Sequence, residues 1–325
     1  MRRSAAGDCG MTKRRVLLTG GSGLLAINWA CALRDDWDVV LGTHLHSVNL
    51  KGVASCRLDL DDRACLESQI EQLAPDLIVN TAGLTDVDRC EADPRLADLV
   101  NAELTRNVAI VAARIGTGLI HISTDHLFAG DKALGAEEDA PCPLNEYARS
   151  KLLGEALVQE ACSRALVVRT NFFGWGHAGR QSFSDWIIYS LRAGKTIPLF
   201  DDVHFTPILA DVLALTAHDL VARGASGIFN ITGDQRVSKY EFGCRLAKRF
   251  DLPGELIRRS QMGHVQLRAP RPKDMSLANA KARRHLGSSL GSLDEYFEAL
   301  HIQEQRGRRL ELLAAVEVES SPGSK

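Results

Sequence analysis

Arg15-Val16-Leu17-Leu18-Thr19-Gly20-Gly21-Ser22-Gly23-Leu24-Leu25-Ala26 is the stretch that decides the fold of this chain. A compact apolar run stops at a glycine cluster. A helical pattern through residue 33 follows at once, with Leu25, Trp29 and Leu33 directed inward. The first glycine permits a tight turn, and the next lets the backbone approach a pyrophosphate. Ala26 is small enough for the helix to lie close on the strand. The helix N-terminus adds partial positive charge where an anion would sit. The segment therefore predicts the first strand–helix turn of a dinucleotide-binding sheet.

Working outward, strand patterns occupy residues 37–41, 54–58, 76–80, 118–123 and 165–169. Helical patterns lie between them at 63–73, from Pro94 through 115, and at 145–161. Strands alternating with helices imply βαβ units, hence a parallel sheet covered on both faces. Past residue 171 the pattern loosens. Helices are expected at 183–191, 209–221, 239–250, 277–285 and 293–303, with strands at 197–200 and 227–231 and loops and short strands over 253–272. The expected fold is α/β, a doubly wound parallel Rossmann sheet with a smaller C-terminal α+β substrate lobe. The expected division is a disordered extension over 1–13, a dinucleotide domain over 14–170, a substrate lobe over 171–304 and a tail over 305–325. Segments near 205–235 are expected to return to the sheet.

Composition narrows the function classes. The 325 residues are 45% hydrophobic and 25% charged, ordinary for a globular chain that buries a sizeable core. With 39 basic against 41 acidic residues the net charge is −2, which argues against a nucleic-acid or membrane-surface binder. No apolar run is long enough to span a bilayer, and the basic N-terminus lacks the apolar segment of a secretion signal. A cytoplasmic location is expected. Cysteines stand at 9, 31, 56, 65, 90, 142, 162 and 244 with no C-x-x-C pair, which reads as buried reduced thiols. His44 and His46 have no third ligand nearby, so no metal is expected.

The chemistry-bearing residues follow the fifth strand. Ser123-Thr124-Asp125 ends it, and the next helix carries Tyr147 and Lys151, which share a face at i and i+4. A lysine ammonium beside a phenol is expected to lower the tyrosine pKa from about 10. That pair makes an acid–base for a substrate oxygen while hydride moves to or from a nicotinamide. A hydroxyl from Thr124 or Ser123 can hold the same oxygen. The second strand ends in Gly42-Thr43-His44, without the acid that would hold an NAD ribose. NADP(H) is therefore preferred, with Lys13, Arg14 and Arg15 as candidates for its phosphate, and NAD(H) stays open. Asp59-Leu60 is placed to contact an adenine, although Asp59 and Asp61 equally suit helix capping. Arg258, Arg259, Arg268 and Arg271 form a basic patch suited to a diphosphate. The cluster Phe172-Phe173-Gly174-Trp175-Gly176 suits either stacking on a ligand or core packing. His121 reads as a core histidine.

Together these motifs resemble the extended short-chain dehydrogenase/reductases, and within them the dTDP-4-dehydrorhamnose reductase family. The likeness is carried by residues 19–26, by Val79-Asn80-Thr81-Ala82-Gly83-Leu84-Thr85-Asp86, by Ser123-Thr124-Asp125-His126-Leu127-Phe128 and by Asn145-Glu146-Tyr147-Ala148-Arg149-Ser150-Lys151. Val168-Arg169-Thr170 and Arg271-Pro272 extend it. The resemblance implies an NAD(P)H-dependent reductase of a 4-keto nucleotide-activated deoxysugar, as in dTDP-rhamnose biosynthesis. It implies Thr124, Tyr147 and Lys151 as catalytic. Gly20, Ser22, Gly23, Leu24, Leu25, Thr43, Asp59, Leu60, Ala82, Gly83 and Leu84 would line the cofactor, with Tyr147 and Lys151 on its ribose. Ser123, Asp125, Asn171 and Arg271 would face the substrate. Asn101 would face the cofactor cleft or make a contact inside its helix. His126, Phe172 and Gly83 depart from the family's usual Tyr, Trp and Ala. An epimerase or dehydratase on the same fold is an alternative. So is a non-catalytic NADP-binding regulatory subunit resembling that of methionine adenosyltransferase. Expected partners are the nucleotide sugar and a second copy in a homodimer, with neither nucleic acid nor membrane.

Overall fold

A computed structural model describes residues 13–316. The extension expected over 1–13 lies outside the described residues except for Lys13, as do the residues from 317 onward and Cys9. The first half runs β1 (Arg15–Thr19), α1 (Leu24–Leu33), β2 (Asp38–Thr43), β3 (Ala54–Arg57), α2 (Arg63–Leu73) and β4 (Leu77–Asn80). It continues through α3 (Val87–Ala92), α4 (Pro94–Asp98), α5 (Leu104–Ile115), β5 (Gly118–Ile122), α6 (Glu146–Ala161) and β6 (Leu166–Arg169). The second half carries β7 (Phe172–Phe173), α7 (Phe183–Arg192), β8 (Ile197–Phe200), β9 (His204–Phe205), β10 (Ile208–Leu209), α8 (Ala210–Ala222) and β11 (Gly227–Asn230). It ends with β12 (Val237–Ser238), α9 (Lys239–Arg249), β13 (Ile257–Ser260), α10 (Ala280–Leu286), α11 (Leu293–Gln305) and α12 (Arg308–Ala315).

The main sheet has seven strands in the order β11-β6-β5-β4-β1-β2-β3. Every pairing in it is parallel. Parallel strands need helical crossovers, and these cover both faces with apolar side chains. One face packs against α1 and α8 and extends to α11 and α12, with Trp29, Leu213 and Phe297 wholly buried. The other packs against α2, α5 and α6 through Leu66, Val108 and Val158. Strand order reverses between β1 and β4, the position where open α/β sheets leave a crevice at their C-terminal ends. Among the described residues no helix is long and apolar enough to cross a membrane.

Several boundaries differ from the sequence reading. The helix expected from Pro94 through residue 115 runs without a gap through α4 and α5, with a π-helical turn over Leu99–Glu103 between them. The two-residue strands β7, β9, β10 and β12 have no alternating pattern of their own and exist through distant partners. The helix expected at 277–285 begins only at Ala280. The segment expected as a tail folds back as α12. There Glu311 pairs with Arg34, and Asn49 N–H donates to Ala315 at 2.8 Å. Of the seven described cysteines, none is in a disulfide; Cys31, Cys90 and Cys162 are buried and Cys142 is exposed.

Candidate active site

The glycine loop lies at the β1–β4 crevice. Gly20 has φ +67°, and a Cβ there would stand 2.8 Å from the backbone of Ala82, so a side chain would push the loops after β1 and β4 apart. α1 begins at Leu24 with no side-chain cap and no acid in its first turn. Its leading N–H groups are thus available to phosphate oxygens, and the loop fits a dinucleotide pyrophosphate. The cleft above it, about 500 Å³, is lined by Gly20, Ser22, Gly23, Leu24, Ala82 and Gly83, with His46, His177 and Arg180 opposite.

A second cleft of about 330 Å³ continues from the first and shares Thr81, Ala82, Gly83, Thr85, Phe172 and Arg180 with it. Here the structure brings together Leu25, Ser123, Thr124, Asp125, Tyr147, Lys151 and Asn171. Thr124 lines the cleft beside the Tyr147 phenol and favours its ionised form. Asp125 accepts from Asn171 Nδ2 at 2.5 Å, and Thr124 Oγ1 stands 3.4 Å from the same carboxylate. Arg180 reaches across the cleft to the Thr85 hydroxyl.

The electrostatics correct one expectation. Burial pushes the Tyr147 phenol up to about 12, against the smaller lowering effect of Thr124, and nearby Asp125 adds to the rise. The lowering expected from Lys151 is not seen, because its ammonium donates instead to the Ile122 carbonyl at 2.7 Å. Burial lowers Lys151 itself to about 8, with Glu155 opposing the shift. Tyr147 is accordingly a neutral phenol at neutral pH, a donor of a proton rather than an acceptor.

Buried polar contacts hold these side chains. Asn145 caps α6 by accepting from Ala148 N–H at 2.8 Å, which fixes the start of the helix that carries Tyr147 and Lys151. Ser123, expected to face substrate, lines the cleft, but its hydroxyl donates to Glu155 at 2.5 Å. Glu155 in turn pairs with Arg169 at 2.8 Å, both side chains nearly inaccessible, locking α6 to β6. Asn101, in the π-helical turn, accepts from Leu84 N–H at 2.8 Å and donates to the Leu84 carbonyl at 3.0 Å and to Ser150 Oγ at 3.0 Å. It therefore ties the loop after β4 to α6. His121 is wholly buried beside Asn80 (3.2 Å), with Nε2 unpartnered.

The residues assigned to the adenine end are spread more widely. The Thr43 hydroxyl is turned to the Cys56 carbonyl, and Leu60 engages Asn107 through its own carbonyl. Asp59 accepts from Asp61 N–H and Asp62 N–H, while Asp62 is the cap of α2. Asp59 does line a broad surface hollow with His44 and Arg63. Lys13, Arg14 and Arg15 stand at the start of β1, the end remote from the cleft. They engage the Arg34 carbonyl, the Trp37 ring and Asp38, so they are not placed to receive a phosphate there.

Beyond His126 and Asn171 the reaction cleft opens into a third, largely apolar cavity of about 480 Å³ bearing Arg271 and Lys239. The His126 ring meets the Tyr147 ring edge-on at 5.5 Å. The basic patch expected here divides in two, with Arg268 and Arg271 both acting on Asp88, and Arg258 and Arg259 on β13. Arg271 pairs with Asp88 at 3.1 Å, and Arg259 lies over Tyr240 and near Asp201. The aromatic cluster divides: Phe172 lines the cleft, while Phe173 and Trp175 are core. Sequence reasoning missed Arg180, His177, Phe183 and Lys239, whose loops and helix ends carry no periodic signal.

The family described as RmlD substrate binding domain matches residues 14–302. The probable low-salt glycan biosynthesis reductase Agl14 of Haloferax volcanii is 32% identical over 288 residues, 87% of this chain and 96% of that protein. Methionine adenosyltransferase 2 subunit beta of Xenopus laevis is 29% identical over 269 residues, 77% of this chain and 76% of that protein. The crystal structure of dTDP-4-dehydrorhamnose reductase from Bacillus anthracis in complex with NADP superposes with a TM-score of 0.80. It is 24% identical, and the match covers 90% of this chain and all of that one.

Proposed function

The chain belongs to the RmlD substrate binding domain family, and from that membership we propose that it is an NAD(P)H-dependent reductase of a 4-keto, nucleotide-activated deoxysugar. The observation that carries this reading is the continuity of the glycine-loop cleft with the one holding Thr124, Tyr147 and Lys151. A nicotinamide cofactor, when bound, supplies the hydride. Gly20, Ser22, Gly23, Leu24 and Leu25 hold its diphosphate end, and Ala82, Gly83 and Leu84 flank it. Tyr147 gives the proton to the carbonyl oxygen, which Thr124 orients, and Lys151, its ammonium on the Ile122 carbonyl, lies on the side of the cofactor ribose. Asp125, Asn171 and Arg271 face the sugar side. NADP(H) is preferred because β2 ends in Thr43 with no acid to hold the ribose, and the Bacillus anthracis reductase was solved with NADP.

A panel of nucleotide 4-keto sugars with NADPH and NADH, followed at the nicotinamide absorbance, tests the reading. Tyr147→Phe is expected to lower kcat by about 10²–10⁴-fold while NADPH still binds. Undiminished turnover would remove Tyr147 from the role. The likeness to methionine adenosyltransferase 2 subunit beta favours a second reading, a non-catalytic NADP-binding subunit. Tight NADPH binding without oxidation across the whole panel would support it over the reductase.

A further inference from the structure

Lys239 occupies an unfavourable place for a cation. It is the first residue of α9, where the helix dipole presents its positive end. Its Nζ lies 3.5 Å from the centre of the Phe205 ring and 4.6 Å from that of Phe183. Among the described residues its ammonium has no hydrogen bond and no ion pair, the backbone N–H alone donating to Val203. The nearest anion to influence it is Asp125, which is already held by Asn171. The surrounding cavity is apolar, with Trp186, Leu199, Phe200 and Met275 on its walls, and burial lowers the ammonium to about 8. Contact with two aromatic faces recovers part of the desolvation cost, and a methionine would fill the same path without incurring it. The ammonium is suited to this cavity only when an anion shares it.

We propose that Lys239 is a specificity-determining residue that binds an anionic phosphoryl oxygen of the substrate's glycosyl diphosphate. The assignment rests on the reductase reading above. C4 and C1 lie at opposite ends of a pyranose ring. A sugar whose C4 carbonyl meets Thr124 and Tyr147 therefore sends its anomeric oxygen and first phosphate away from the glycine loop. That direction passes between His126 and Asn171, which with Val87 are the residues that the reaction cleft shares with the Lys239 cavity. A carboxylate at C5 would remain beside the reacting carbon and would not reach the ammonium. Past Lys239, Phe183 and Trp186 are stacked at 6.1 Å with an interplanar angle of 16° and offer a ring face to the base.

Calorimetric titration of dTDP, UDP and the phosphate-free nucleosides thymidine and uridine into the wild type, Lys239→Met and Lys239→Arg tests the assignment. Lys239→Met is expected to weaken nucleoside diphosphate binding by about 10- to 100-fold, the loss of one charge-assisted hydrogen bond. Nucleoside and NADPH affinities should stay within about twofold of the wild type, as expected for a change well below one hydrogen bond. Its melting temperature should be equal or higher, and Lys239→Arg should restore much of the diphosphate affinity. Diphosphate affinity untouched by Lys239→Met, an equal loss for the nucleosides, or no diphosphate binding by the wild type would each overturn it. Failure of every 4-keto sugar to turn over, with diphosphate binding still dependent on Lys239, would defeat the reductase reading and leave the phosphoryl assignment standing.

Discussion

Lys151 and Tyr147 illustrate how burial outweighs proximity at single side chains. With its ammonium on the Ile122 carbonyl, Lys151 does little for the phenol, and desolvation governs both groups. The folded protein holds Lys151 at about 8, whereas the unfolded chain keeps it protonated to about 10.5. The unfolded state therefore binds more protons across that window, so this group makes the wild type more stable as pH rises through it. Lys151→Met lacks the gain. The difference in unfolding free energy, variant minus wild type, should fall between about pH 8 and about pH 10.5 in urea titrations. A difference that is flat with pH would mean that the ammonium is not desolvated in the fold. Tyr147, Lys151 and Thr124 were legible because a motif and a helical spacing mark them. The partners of Asn101, the place of Lys239 and the inward turn of the Ser123 hydroxyl were not, because each depends on what a distant segment brings alongside.

At the scale of elements, α6 is the member on which the site depends. Its first two turns carry Tyr147 and Lys151, and its middle is fastened to β6 by the Glu155–Arg169 pair. It also approaches the π-helical turn so closely that a Cβ at Gly154 would stand 2.3 Å from the Asn101 carbonyl oxygen. Glu155→Gln strands the Arg169 charge in the interior and is expected to destabilise by about 3–5 kcal/mol. Replacing both partners with methionine removes the stranded charge and should recover most of that loss in the same denaturant titration. A double variant as unstable as the single one would show that shape, not charge, governs the contact. The long periodic elements of the sheet were readable because their apolar faces repeat. The π-helical turn at residues 99–103 was not, since no proline or glycine interrupts the run and the turn packs against α6.

On the scale of the whole molecule, the sheet is closed by chain that lies far from it in sequence. β11 forms the sheet edge beside β6, and α8 covers α1. α12 then reaches back so that Arg34 and Glu311 pair and Val48 bridges Val316. Truncation after Arg306 removes the buried Leu312, Ala315 and Val316. It should lower stability by several kcal/mol, because losing one buried leucine alone costs about 2–5 kcal/mol. Unchanged melting would make α12 an ornament on the fold. The layering of the sheet was evident from alternation alone, whereas the return of α12 was not, because its contacts are supplied by residues near position 34.

That return sets an order on assembly in time. Arg34 and Glu311 are 277 residues apart, which at about 5–20 residues per second of synthesis is a delay of roughly 14–55 s between their emergence. Throughout it α1, buried on nearly every side in the finished molecule, stands on the nascent chain with part of its apolar surface bare. The glycine loop can form early, but the helix behind it is completed last. The nascent chain thus offers a chaperone a defined target, the α1 surface, from the appearance of β1 until α8 and α12 arrive.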